Sequence, residues 1–284
     1  MNWLTLTLLC VFFVSIAPLL QRILLRGSES DERAFAILFQ FANGLLIALV
    51  GFLFFDMTLP DLSPYLPNLI ILALLYGLGN LFVFAALKRV EASIFTIVFA
   101  CKPIFTLLSS TLILKEGLEP FQLTGLVLII FAITIASINH GFKIRFSRGE
   151  LFALIAAVLF GFEVTNDRIL LKSLNVFPFM TIAYLIPAFI IALSYPTWYK
   201  KASVFLSKKN IFVFLVLIVT HVLASITFFL ALQTGYNSSQ ISAISQVSTV
   251  VTVLLAIVFL KENDRLVKKI IAAVFSAIGV ILLK

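Results

Sequence analysis

Charge is scarce in this chain. Of its 284 residues, 12% are Asp, Glu, Lys or Arg, against the roughly 25% usual in a soluble domain. Cysteine is almost absent, and Cys10 and Cys101 both fall inside apolar runs. That excludes a secreted disulfide framework and leaves the redox compartment unread. With two His and two Cys, no cluster has metal-ligand spacing, so neither a metal nor a cofactor is expected. No phosphate loop, nucleophile elbow or zinc-binding helix motif occurs, so no enzyme activity is expected. The opening MNWLTLTLLCVFF has no basic segment and no small-residue cleavage pattern. It reads as a first membrane helix and not as a cleaved signal peptide.

What is present is apolar surface. Hydrophobic residues make up 62% of the chain, with 30 Phe, and mean hydropathy is +1.15. No soluble fold of this length hides so much apolar surface, but lipid does. A membrane helix needs about 20 mainly apolar residues. Ten runs qualify, near 2–21, 34–55, 66–87, 92–114, 121–139, 150–171, 176–197, 211–232, 238–260 and 267–283. The breaks carry turn and charge signals such as RGSESDER, KEGLEP and KENDRLVKK. Strands are excluded on two grounds: the runs lack the alternation of a barrel, and an open sheet leaves backbone groups unpaired in lipid. The net charge of +8 sits in short loops, where it meets lipid head groups. A nucleic-acid interface would need a continuous basic face, and none is expected.

The chain repeats itself. Gln21-Arg22-Ile23-Leu24-Leu25-Arg26 matches Asp167-Arg168-Ile169-Leu170-Leu171-Lys172, and Leu114-Lys115-Glu116 matches Leu260-Lys261-Glu262, both 146 positions apart. Phe84, Ala86 and Leu87 match Phe229, Ala231 and Leu232 at an offset of 145. Each match is weak alone; the shared spacing carries the argument. The expected fold is therefore an all-α integral membrane protein of ten helices in two halves. Residues 1–140 form the first five-helix repeat, 141–149 a loop, and 150–284 the second repeat. An odd number of spans per repeat makes the halves an inverted-topology pair, an architecture common in secondary transporters with a site near the midplane.

The stretch Ala86 to Ile129, with Pro103 inside its helix and Leu114-Lys115-Glu116 at its end, has a fainter copy from Ala231 to Glu262. Together with the five-plus-five organisation, these segments resemble the drug/metabolite transporter superfamily, EamA type, over essentially the whole chain. The resemblance implies transport of small metabolites, a class spanning amino acids, sugars, nucleotides, cations and lipid-linked groups. One departure is Thr249 where the second proline is expected, which removes the usual cause of a kink in the ninth helix.

Polar residues at membrane depth are costly and therefore informative. Counting about 1.5 Å per residue along each helix puts Lys102, Glu163, Tyr76, Asn80, Asn43, His221 and Gln246 near the bilayer centre. Lys102, beside Pro103, is a candidate anchor for a carboxylate or phosphate, or else a partner of Glu163, or a snorkelling cation. Glu163 is the candidate for proton coupling or gating. Tyr76, Asn80, Asn43, His221 and Gln246 are candidate substrate contacts, or hydrogen bonds between helices. Asp167 and Arg168 are expected near the far interface, in head-group or intra-helix contacts, and Ser239, Ser242, Ser245 and Ser248 as small packing residues. The expected function is a secondary transporter of a small polar organic solute, an amino acid or related metabolite, working by alternating access with proton or exchange coupling. A receptor or scaffold, and a flippase for lipid-linked substrates, are the rival readings. The protein would lie in a plasma or bacterial inner membrane, as a monomer or homodimer. Sixteen of the 21 Lys and Arg flank the odd-numbered loops and four the opposite face. The charge rule therefore puts both termini outside the cytoplasm, whereas the family resemblance implies cytoplasmic termini.

Overall fold

The computed structural model describes residues 2–115, 147–235, 238–245, 247–262 and 266–282, together with 121, 124–125, 127–128, 131–132 and 135. Every regular element among them is helical. Among the described residues, seven segments are long and apolar enough to cross a membrane: Trp3–Leu25, Glu32–Phe54, Ser63–Arg89, Ala92–Leu114, Arg148–Leu170, Val176–Ser194 and Ile211–Thr234. Phe52, Phe54, Leu112, Leu193 and Phe212 are each at least 74% exposed. Side chains of that kind are stable at such exposure against hydrocarbon and not against water. The fifth run, 121–139, lies mostly outside the described residues.

The first span is not one helix. It divides into α1 (Trp3–Val14) and α2 (Ala17–Leu25). Pro18 lacks an N–H and its ring crowds the carbonyl four residues back, at Val14, where α1 stops. The freed carbonyl of Ser15 is taken up by the Thr252 hydroxyl at 2.9 Å, from the other half of the chain. Helix α3 (Glu32–Phe54) starts at Asp31, whose carboxylate accepts from the amides of Arg33 and Ala34 at 2.9 and 3.0 Å. A short 3-10 turn, Ser63–Tyr65, leads into α4 (Leu66–Arg89). The fourth span breaks into α5 (Ala92–Phe99) and α6 (Lys102–Leu114).

The second half opens with α7 (Arg148–Leu170), fixed by a capping box in which Ser147 and Glu150 satisfy each other's backbone amides. It continues through α8 (Val176–Ser194), α9 (Trp198–Ala202) and α10 (Ile211–Thr234). The ninth run is divided into α11 (Ser238–Ser245) and α12 (Ser248–Leu260), and α13 (Leu266–Leu282) ends the chain. The separation of α11 from α12 bears on the doubt raised by Thr249: the described residues of this run form two helices without a proline between them. Its junction is tightened by bonds of 3-10 type, Val247 N–H to Ile244 O at 3.1 Å and Val250 N–H to Val247 O at 3.2 Å. The first half has the same pair 146 residues earlier, Cys101 to Val98 at 3.3 Å and Ile104 to Cys101 at 3.0 Å. Backbone geometry common to both halves makes the bend, and proline is present in one of them.

Other features recur at the same spacing. Lys115 and Lys261 end their helices in the left-handed region, each with φ of 56°. The Arg22 guanidinium donates to the carbonyls of Leu87 and Lys88 at 2.6 and 2.8 Å, and Arg168 donates to those of Leu232 and Gly235. In both cases an arginine near a helix end neutralises the exposed carbonyls closing a neighbouring helix. The helices also pair across the halves: α4 packs on α7, α1 on α10, and α3 on α8. Exchanging the halves turns the first pairing into the second and the third into itself. The core of the molecule therefore lies between the halves, with Phe35, Phe39 and Phe84 packed edge to face inside it.

Candidate functional site

The helices that pair across the halves enclose a cavity of about 210 Å³ at the middle of the bundle. Lys102 reaches it because α6 begins there, at mid-span. Gly161 lets α7 press on that point: a Cβ at Gly161 would stand 2.9 Å from the Lys102 carbonyl. Below it Ser109 Oγ and Thr165 Oγ1 hydrogen-bond at 2.6 Å, so α6 and α7 are tied together on either side of the site. The Lys102 ammonium lies over the Phe228 ring, 5.3 Å from its centroid, an attractive placement for a cation. No direct ion pair joins Lys102 to Glu163, so of the alternatives the sequence left open, permanent pairing of the two is not what the structure contains.

Glu163 and Asp167 line the cavity from α7 and are 3% and 1% exposed. Four residues apart, they share one helical face. The Tyr76 hydroxyl of α4 donates to Asp167 Oδ2 at 3.4 Å, and Glu163 is near enough to both to interact with them electrostatically. Asp167 Oδ1 is buried with no protein partner. Against the head-group or intra-helix contacts expected for Asp167, the structure shows it buried and lining the cavity one turn from Glu163, while its neighbour Arg168 turns to the closing carbonyls of α10.

Of the other residues singled out, Tyr76, Asn80 and His221 line the cavity. Asn80 donates to the Tyr76 carbonyl at 3.0 Å within its own helix. Asn43 is fully buried but is not part of the lining. It stands behind His221, its Oδ1 3.1 Å from His221 Nδ1 and its amide donating to Phe39 O at 2.7 Å, so it orients the imidazole. Gln246 lies outside the described residues, as does the side chain of Ser239. Ser245 and Ser248 line the cavity, while Ser242 packs against Thr106, their hydroxyls 3.4 Å apart. Depth counting did not select Cys10, Tyr184 or the aromatic wall, which includes Phe99, Phe160, Phe228 and Phe229. Tyr184 bonds to Ser225 at 2.7 Å. The available sequence signal was a single aromatic among apolar neighbours, which is no signal in a chain with 30 Phe. Among the described residues no group of His, Cys, Asp and Glu has the geometry of a metal site.

The cavity thus offers one ammonium, two carboxyls, several hydroxyls and several aromatic rings. It can hold a small solute by charge and by contact with those rings.

Comparison with known proteins gives the same frame. The sequence profile of the EamA-like transporter family matches residues 1–138 and again residues 147–284, so it covers the chain twice over. No curated protein matches. A solved crystal structure, described only as that of a protein, superposes with a TM-score of 0.69 at 17% identity. The match covers 98% of this chain and 94% of that one, and at this identity the likeness concerns the fold alone.

Proposed function

The chain belongs to the EamA-like transporter family, and we propose that it is a secondary transporter moving a small polar organic solute, an amino acid or related metabolite, by alternating access. It is a multi-pass membrane protein built on an internal repeat. In this reading the repeats are five helices each, ten in all, and have inverted topology. Residues 1–140 and 150–284 then form the two units, joined by 141–149. The protein performs no covalent chemistry on its solute. The observation that carries the reading is the cavity between the halves, with Lys102 facing it from one half and Glu163 and Asp167 from the other.

Two features support alternation. Contacts between the halves stand at both ends of the bundle. At one end Glu262 caps α5, and at the other Tyr65 bonds to Ser173 at 2.6 Å and Asn68 to Asn166 at 2.7 Å. Breaking one set while keeping the other opens the cavity to a single side. The bends before α6 and α12 also lie at the cavity, where helix breaks give the freed backbone groups polar work to do.

The test is uptake of radiolabelled amino acids, amines, organic acids and nucleosides into liposomes containing the purified protein. Saturable uptake of at least one ammonium-bearing solute is expected. No uptake of any of these solutes above protein-free liposomes would refute the transport reading.

A further inference from the structure

Glu163 and Asp167 present a chemical problem that the cavity does not solve with a fixed cation. They lie one helical turn apart, both buried and lining the same cavity. Two carboxylates cannot sit ionised side by side in a low-dielectric site, because each penalises the other's charge. The groups facing the pair offer no cation in direct contact with it. From α4 comes the Tyr76 hydroxyl, a neutral donor. From α6 comes Lys102, turned onto Phe228. The residues of α5 and α11, which also pack on α7, include no titratable group. Across the cavity stand Tyr184, held by Ser225, His221, held by Asn43, and Cys10. One oxygen of the pair, Asp167 Oδ1, is buried and open to a further donor.

We propose that the Glu163–Asp167 pair is the coupling site, holding one proton that the ammonium group of an aromatic or apolar solute displaces. The inference rests on the transport reading above and names its solute class and its driving ion. The exchange is balanced. The carboxylic O–H breaks and its proton leaves to the water of whichever face the cavity opens to. The solute's N–H groups then donate to the two carboxylates. On the opposite face a proton from water returns to the pair and the ammonium departs. One proton moves against one solute, so the protein is an antiporter. Phe99, Phe160, Phe228 and Phe229 receive the solute's apolar part, and Lys102 takes a carboxylate where the solute carries one. Proton and ammonium compete for the same oxygens, so the two cannot occupy the site together. That exclusion is what couples them.

Infrared difference spectroscopy on the purified, lipid-reconstituted protein tests the pair without requiring transport. At neutral pH a protonated carboxyl C=O band is expected. Phenethylammonium chloride should bleach it with release of a proton, and the band should be missing from Glu163→Gln/Asp167→Asn. Near-isosteric amides keep the volume, and an unchanged melting profile checks the fold. A wild-type protein lacking the band, or one whose band survives saturating phenethylammonium, overturns the proposal. Transport separates the two claims. In proteoliposomes an outward-directed proton gradient should accelerate phenethylammonium uptake by about tenfold, equivalent to roughly 1.4 kcal/mol of coupling. The double amide variant, which lacks the oxygens that hold the ammonium, should lose saturable phenethylammonium uptake with and without the gradient. Uptake that is saturable but indifferent to the gradient sinks the coupling site and leaves the transport reading standing. Absence of all uptake, with the band present and bleached, sinks the transport reading and leaves the binding pair.

Discussion

Lys102 is the residue on which the site turns. Its backbone sits where α6 begins and where Gly161 lets α7 approach so closely that a Cβ there would stand 2.9 Å from the Lys102 carbonyl. Its ammonium rests on an aromatic face, a weaker hold than a buried ion pair, and can leave that face for a solute carboxylate. Lys102→Ala should therefore insert and fold, because no buried partner is left with a stranded charge. Its uptake of an amino acid should fall by about tenfold or more, the worth of roughly 1.4 kcal/mol. Proteoliposome uptake, normalised to inserted protein, measures this; unchanged uptake removes Lys102 from solute binding. The sequence made Lys102, Glu163, Tyr76, Asn80 and His221 legible because an ionisable or polar group at mid-span is conspicuous among apolar neighbours. It did not show that Asp167 lines the same cavity, because depth was counted along one helix while its hydrogen-bond partner, Tyr76, stands on another. The four-residue spacing from Glu163 was the signal that put both on one face.

Among the elements, the two broken helices say most about how the halves work. Composition gave no reason for α11 and α12 to separate, since Thr249 replaces a bend-forming proline. The structure supplies the reason in matching i to i+3 bonds at residues 98–104 and 244–250. Thr249 is the second residue of α12, a position where an N–H has no helical partner and where proline is accepted. Thr249→Pro should preserve folding and uptake, whereas proline deeper in α12 costs about 3 kcal/mol or more. A thermal unfolding profile of Thr249→Pro lowered as far as that of an interior proline variant would count against the bend.

The same helices carry the tie between halves. The Glu262 carboxylate accepts from the amides of Ala92 and Ser93 at 3.0 and 3.1 Å and from the Ser93 hydroxyl at 2.6 Å. It thereby caps α5 from the opposite half. Lys269, 1% exposed, donates to the Glu262 carbonyl at 2.9 Å and pairs with Glu91. Neither contact was visible in the sequence, where Glu262 was one end of a repeated Leu-Lys-Glu. Helix-end partners 170 positions apart leave no local pattern. Glu262→Ala should cost about 1–2 kcal/mol of stability, the worth of a lost N-cap. It should also raise thiol labelling of a cysteine placed at Ser93. Unaltered melting and labelling together would show that the cap does not hold this face closed.

At the scale of the whole molecule, orientation is open to a direct test. The charge distribution puts the loops containing Ser147 and Ser207 in the cytoplasm, since that face carries sixteen of the 21 basic residues. Single cysteines at those positions, in a background lacking Cys10 and Cys101, should react with an impermeant maleimide only after lysis. Labelling of intact cells would reverse the orientation. The two-half organisation was legible in the repeat offset of 146, because matched residues at one spacing outweigh chance similarity among apolar segments. The intimacy of the halves was not, since α4 on α7, α1 on α10 and α3 on α8 pair segments with no sequence signal linking them. That pairing places the cavity between the two halves.

Cys10 makes the resulting claim measurable, because it lines the cavity from α1 while Cys101 does not. In Cys101→Ala protein of uniform orientation in liposomes, Cys10 is the sole thiol, and an impermeant thiol reagent can be applied to either face. Alternating access predicts that Cys10 reacts from both faces, and that a transported solute slows its reaction from each. Reaction from one face alone, at a rate no solute changes, would contradict it.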